Sequence, residues 1–227
     1  MGLLRRSGAL MACLVLVGLA GYALVSNSLS DRLGQENLST ELPAYVTELK
    51  QGDFVFRRGK GRWSPFFASG NPMTGLSHVG VIEIVQYPEQ YPDSYTLYVL
   101  HADADDDSFE GGVQRTRLDV FLQESEFYEF RRNHMTGDQQ VAFMRALRTA
   151  WHDQVPFDTR FTLEDNGERF YCTEYVWWAA KVAGVRLAQP TRIMGVDVVT
   201  VDGIYASPLL SPLPGELKSA ILVSDGV

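Results

Sequence analysis

Two cysteines are all that the 227 residues contain, and Cys13 lies inside an apolar N-terminal run. Cys172 therefore has no disulfide partner within the folded part of the chain. The four histidines, His78, His101, His134 and His152, show no HxxxH spacing, and no CxxC is present, which argues against a zinc site. Basic residues are also scarce, 20 against 28 acidic ones, for a net charge of −8. Two of the 20 are Arg5 and Arg6, and no acid precedes Asp31, so the remainder is more acidic still. That balance argues against nucleic acid or an anionic membrane surface as the main partner. Internal repeats and low-complexity tracts are lacking too.

What is present has the composition of a globular chain, 45% apolar and 21% charged, long enough to bury a core without disulfides. Residues 1–26 read as a targeting segment: Arg5 and Arg6 precede an uncharged apolar run from Gly8 to Val25. At about 1.5 Å per residue this run spans about 27 Å, close to the thickness of a bilayer's hydrocarbon. It is longer than a usual signal core, and Ala23-Leu24-Val25-Ser26 makes a poor cleavage site. An uncleaved anchor is expected, with secretion after cleavage as the alternative. The paired arginines keep the N-terminus in the cytoplasm, so the domain faces outward, into the periplasm of a bacterial inner membrane. Leu10-Met11-Ala12-Cys13 is a poor lipobox. Residues 27–43 suit a polar linker, and 44–227 one domain.

Within that domain DFVFRR, SHVGVIEIV (77–85) and YTLYVLHA (95–102) have strand character, with a polar turn at Pro88 to Ser94. Shorter strands are expected at Val113–Leu118 and Phe127–Arg132, and a loop from Gly59 to Gly75. Val141, Met144, Ala146, Leu147 and Trp151 recur at helical spacing after Gly137. A second helix opens at Tyr171 and ends near Gly184. Strands first and helices afterwards predict an α+β domain on an antiparallel sheet.

In that second helix Cys172, Val176, Ala179, Ala180 and Ala183 form one apolar stripe, placing Cys172 inward in the first turn. There the unpaired backbone N–H groups and the helix dipole are expected to lower the thiol pKa. A lone buried cysteine is otherwise a small hydrophobe, so a second group must activate it. His78 opens one strand and His101 ends the next. A hairpin register summing to 179 or 181 puts both imidazoles on one sheet face, where one takes the thiol proton and the other orients it. Glu83 is the alternative third residue, although strand alternation sends it to the opposite face.

The ordered set Gly52-Asp53, Ser77-His78-Val79-Gly80 and Tyr171-Cys172-Thr173-Glu174, with PFDTRF (156–161), resembles the circularly permuted papain-like amidases. These are the YiiX/YebB-like and YaeF-like branch of the NlpC-type cysteine hydrolases. The likeness covers residues 50 to 185. It implies a papain-like fold, with antiparallel sheet and packed helices, in which Cys172 is the nucleophile and His78 the base. The third position, His101 here, is often a carboxylate in that branch.

The expected function is a membrane-anchored thiol hydrolase that forms an acyl-enzyme and cleaves an amide or ester bond without a cofactor or metal. A cell-wall peptide, an amino-acid amide or an acyl-lipid is the expected substrate. A catalytically inactive binding module on the same fold is the alternative. Asp103, Asp105 and Asp107 alternate as in a calcium loop, but Ser108 and Gln114 stand where the loop needs Gly and Glu. They are expected to form a solvated acidic loop.

Overall fold

The computed structural model describes residues 48–86, 95–163, 167–193 and 195–213. The targeting segment, the linker and the polar turn at Pro88 to Ser94 lie outside the described residues. Among the described residues no helix is long and apolar enough to cross a membrane.

The chain is an α+β fold built on one antiparallel sheet. Strands β1 (Phe54–Gly59), β2 (His78–Gln86), β3 (Tyr95–Ala104), β4 (Gly111–Arg117), β5 (Ser125–Asn133) and β8 (Leu210–Pro212) lie in the order β4-β3-β2-β1-β5-β8. Every pairing in it is antiparallel. A separate ribbon joins β6 (Thr191–Ile193) to β7 (Val196–Val198).

The sheet is apolar on both faces because its strands alternate between two layers of helix. Phe54, Phe56, Val79, Val81, Leu100 and Ala102 pack on one face against α3 (Gly137–His152) and α4 (Cys172–Val182). Val55, Ile82, Leu97 and Val99 pack on the other with Leu118, Phe121 and Leu122 of α2 (Leu118–Gln123). Helix α4 stops at Gly184, whose φ of +70° only glycine adopts readily. A short α5 (Val201–Tyr205) precedes β8.

Besides α5, two helices fall where the sequence offered none. Helix α1 (Ser64–Ser69) lies inside the Gly/Pro-rich stretch, started by Pro65, whose missing N–H does no harm in a first turn. Helix α2 is a six-residue segment, too short for its period to show in sequence.

Candidate active site

The β2–β3 register pairs Val81 with Leu100 and Ile82 with Val99, so partner numbers sum to 181. That places His101 diagonal to His78 on the α2 face of the sheet. Their imidazoles meet there, with His78 Nε2 2.9 Å from His101 Nδ1. The far nitrogen of His101, Nε2, lies 2.9 Å from Thr116 Oγ1 on β4. Both rings pack against Phe121, at 5.8 Å for His78 and 5.1 Å for His101. Gly80 makes the close approach possible: a Cβ there would lie 2.3 Å from Val99 Cγ1 and 3.2 Å from His101 Cβ.

Two charged residues complete the cluster. Arg57 on β1 pairs with His78 across the strands, and its guanidinium reaches Asp103 Oδ2 at 3.0 Å and the Phe121 carbonyl at 2.8 Å. Asp103 Oδ2 lies 3.9 Å from His78 Nε2 and 3.8 Å from His101 Nδ1. The reading of Asp103 as part of a solvated acidic loop is thus corrected: β3 runs on to Ala104 and turns Asp103 toward the histidines. Asp105 does fit that reading, accepting the Asp107 and Ser108 N–H groups in an exposed turn.

Burial holds both imidazoles neutral, with the Arg57 charge adding to it at His78. At His101 burial and then His78 lower the pKa to about 3, against the pull of Asp103. Neutral rings suit a relay, since each has one nitrogen to donate and one to accept.

Cys172 arrives from the opposite, helical side, as the first residue of α4. Its neighbours fix it: Tyr171 Oη accepts the Val199 N–H at 2.9 Å, and Thr173 Oγ1 donates to the Val199 carbonyl at 2.6 Å. The thiol accepts from the Val79 and Thr173 N–H groups, so it lies at the rim of the sheet beside the residue that follows His78. The hydrogen bond found for His78 goes to His101, not to the thiol. The expectation of an acidic thiol is also corrected. Burial, then the Asp103 carboxylate, push it up to about 12, outweighing the two N–H bonds and Arg57.

Glu83 stands apart from all of this. It is buried on the helical face, where it pairs with Arg115 and Arg148. Among the motif residues, Ser77 Oγ accepts the Gly59 N–H, and the Asp53 carboxylate accepts the Lys50 and Asn133 N–H groups. These residues shape the backbone around the site rather than touching it. Arg57 had no sequence signal, because it reaches the site only through the β1–β2 pairing, and Asp103 stood out only as one of a run of acids, with nothing to mark it as a neighbour of the histidines.

No protein-family model matches the chain, and no curated protein matches its sequence. Among solved structures it is similar to one described as metalloprotein yiiX from Escherichia coli O157:H7, with a TM-score of 0.57 and 20% identity. The match covers 74% of this chain and 97% of that one. The likeness is one of fold.

Proposed function

We propose that the chain is a cysteine hydrolase of the permuted papain-like, NlpC-type kind, with Cys172 as nucleophile, His78 as base and His101 as the residue that orients it. The observation that carries this reading is the buried His78–His101–Thr116 hydrogen-bond chain, together with the Cys172 thiol accepting the N–H of Val79, the residue after His78. If His101 donates from Nε2 to Thr116 and accepts at Nδ1, His78 donates from Nε2 and keeps Nδ1 as a proton acceptor. A thiol as weakly acidic as this one attacks only as its proton leaves. His78 takes that proton while Cys172 Sγ bonds to the carbonyl carbon, and returns it to the departing amine or alcohol. Water then releases the acyl group. The Cys172 backbone N–H, with no helical acceptor, is available to the oxyanion.

In this reading residues 1–26 anchor the chain, 27–43 tether it and 44–227 form an outward-facing hydrolase domain of the bacterial envelope, acting on an amide or ester. Transfer of one acetyl group from 4-nitrophenyl acetate to Cys172, and its loss in His78→Ala, tests the chemistry. A domain that binds such compounds but never acylates is the inactive module instead. A mature protein that still carries residue 1 and answers to an external C-terminal reporter supports the anchor; one beginning after residue 20 refutes it.

A second reading is a metal centre, since His78, His101 and Asp103 offer donor atoms within 4.8 Å of one another and the similar structure is described as a metalloprotein. The arrangement fits a cation poorly. Two nitrogens on one tetrahedral ion stand about 3.4 Å apart, given bonds of about 2.1 Å. Here they are 2.9 Å apart, a hydrogen-bond distance, and Arg57 already neutralises Asp103. Stoichiometric zinc or iron in protein purified without added metal would favour the second reading.

A further inference from the structure

His78 is the first residue of β2 and Cys172 the first of α4, so the loop before each helps to set where its side chain stands. One short segment bonds to both. Val199, buried after the β6–β7 ribbon, holds the start of α4. Its N–H donates to Tyr171 Oη at 2.9 Å and its carbonyl accepts from Thr173 Oγ1 at 2.6 Å, on either side of Cys172. Further along the same segment, Asp202 holds the loop that leads into β2. The Met73 N–H donates to its Oδ2 at 2.9 Å and the Thr74 hydroxyl to its Oδ1 at 2.6 Å, while its own N–H donates to Asn71 Oδ1 at 2.9 Å.

These bonds point away from α5, the helix in which Asp202 lies. An acid in a helix's first turn ordinarily serves its own unpaired N–H groups and the helix dipole. In α5 Thr200 does this, its hydroxyl accepting the Gly203 N–H at 3.0 Å, and both Asp202 oxygens are given to the 71–74 loop. The loop carries the grip onward. Thr74 Oγ1 also accepts the Leu76 N–H at 3.2 Å, and Leu76 is buried in one core cluster with Val79, Val199 and Val201. The Ser77 N–H then closes on the Arg57 carbonyl at 3.0 Å, directly before His78. At the far side the Cys172 thiol accepts the Val79 N–H, so a ring of bonds runs through the nucleophile and the base.

We infer that Asp202, with Thr74, is a positioning residue: its clasp on the 71–74 loop fixes where the His78 imidazole stands relative to the Cys172 thiol. The inference rests on the hydrolase reading above and adds how base and nucleophile, brought from opposite sides of the sheet, are kept within reach. Closing the loop alone would need only one end of the Val199–Asp202 segment. The other end holds the two residues that flank Cys172, and the Thr200 cap stiffens the link between them.

Acetylation of Cys172 by 4-nitrophenyl acetate in the full-length protein tests this. Misplacement by about 1 Å can slow a reaction about 10²-fold. Thr74→Val, which removes the hydroxyl at nearly equal shape, and Asp202→Ala should each lower the saturating acetylation rate about 10-fold. The half-saturating ester concentration should stay within about twofold. Thr74→Ser, which keeps the hydroxyl, should remain within about twofold of the wild-type rate. In a His78→Ala background Thr74→Val should slow acetylation by less than about twofold, because no base is left to position. A wild-type rate in Thr74→Val overturns the inference, as does an equal loss in both backgrounds, which marks a general structural defect. The ¹⁵N spectrum of the histidine side chains separates the clasp from the chemistry. In Thr74→Val the His78 ring signals should move while those of His134 and His152 stay. If the wild type takes up no acetyl group, the hydrolase reading falls; moved His78 signals then retain the clasp, and unmoved ones overturn it.

Discussion

His78 and His101 share a hydrogen bond of 2.9 Å inside the sheet, and among the described residues neither ring has a carboxylate closer than 3.8 Å. The group hydrogen-bonded to His78 is therefore a second neutral imidazole, and the proposed mechanism gives it the orienting role. His101→Ala should lower kcat by about 10- to 10⁴-fold, less than Cys172→Ala, with the fold retained. Thr116→Val should give a smaller loss of the same kind. Turnover and thermal melts of both variants check this.

Glu83→Gln should do the reverse. Removing the charge leaves Arg115 and Arg148 one neutral amide oxygen in place of two carboxylate oxygens at a buried site, at a cost of about 1 to 3 kcal/mol in stability, reduced because Arg148 is partly exposed. Folded protein should retain kcat within about threefold. Chemical denaturation and turnover on the same samples measure both. A crippled enzyme with normal stability would move the third catalytic place to Glu83.

Asp103 raises the Cys172 thiol by its charge, and Arg57 lowers it. Asp103→Asn should therefore make the thiol more acidic and speed its alkylation by iodoacetamide at pH 8. In the wild type the alkylation rate should keep rising past pH 9, since a thiol at about 12 is far from ionised there. A plateau between pH 6 and 7 would instead reveal a preformed thiolate.

Both site histidines titrate lower in the folded chain than in the unfolded one, His101 at about 3 against an ordinary 6.5. As pH falls through 6.5 the unfolded chain binds protons that the folded chain refuses, so their stabilisation is complete above 6.5 and is lost on acidification toward 3. Each contributes a slope of up to about 1.4 kcal/mol per pH unit in that window. Urea midpoints from pH 7 to pH 4 should fall, and His101→Gln should make the fall shallower.

The hairpin pattern carried much of this site in the sequence. His78 opens a β-branched run and His101 closes the next, and either allowed register puts them on one face; the structure adopts the sum of 181. Gly80, legible only as part of Ser-His-Val-Gly, is the backbone gap that lets His101 approach, so Gly80→Ala should displace that ring. Arg57 was not legible because its contact depends on β1 lying beside β2, a pairing set by the whole sheet. Asp103 was not, because where β3 ends among four closely spaced acids is a matter of strand length. The thiol's acidity was misjudged because a helix start favours the thiolate by a modest, local field, whereas burial disfavours it more strongly.

The central claim, that Cys172 attacks while His78 takes its proton, is tested most directly by mass spectrometry after brief exposure to 4-nitrophenyl acetate. In wild-type protein one acetyl group should appear on the peptide bearing Cys172 and decay as turnover proceeds. In His78→Ala that acetyl group should form at least about 10²-fold more slowly, the usual loss when a general base is removed. Acetylation of Cys172 at the same rate in both proteins, or none on Cys172 in the wild type, would contradict it.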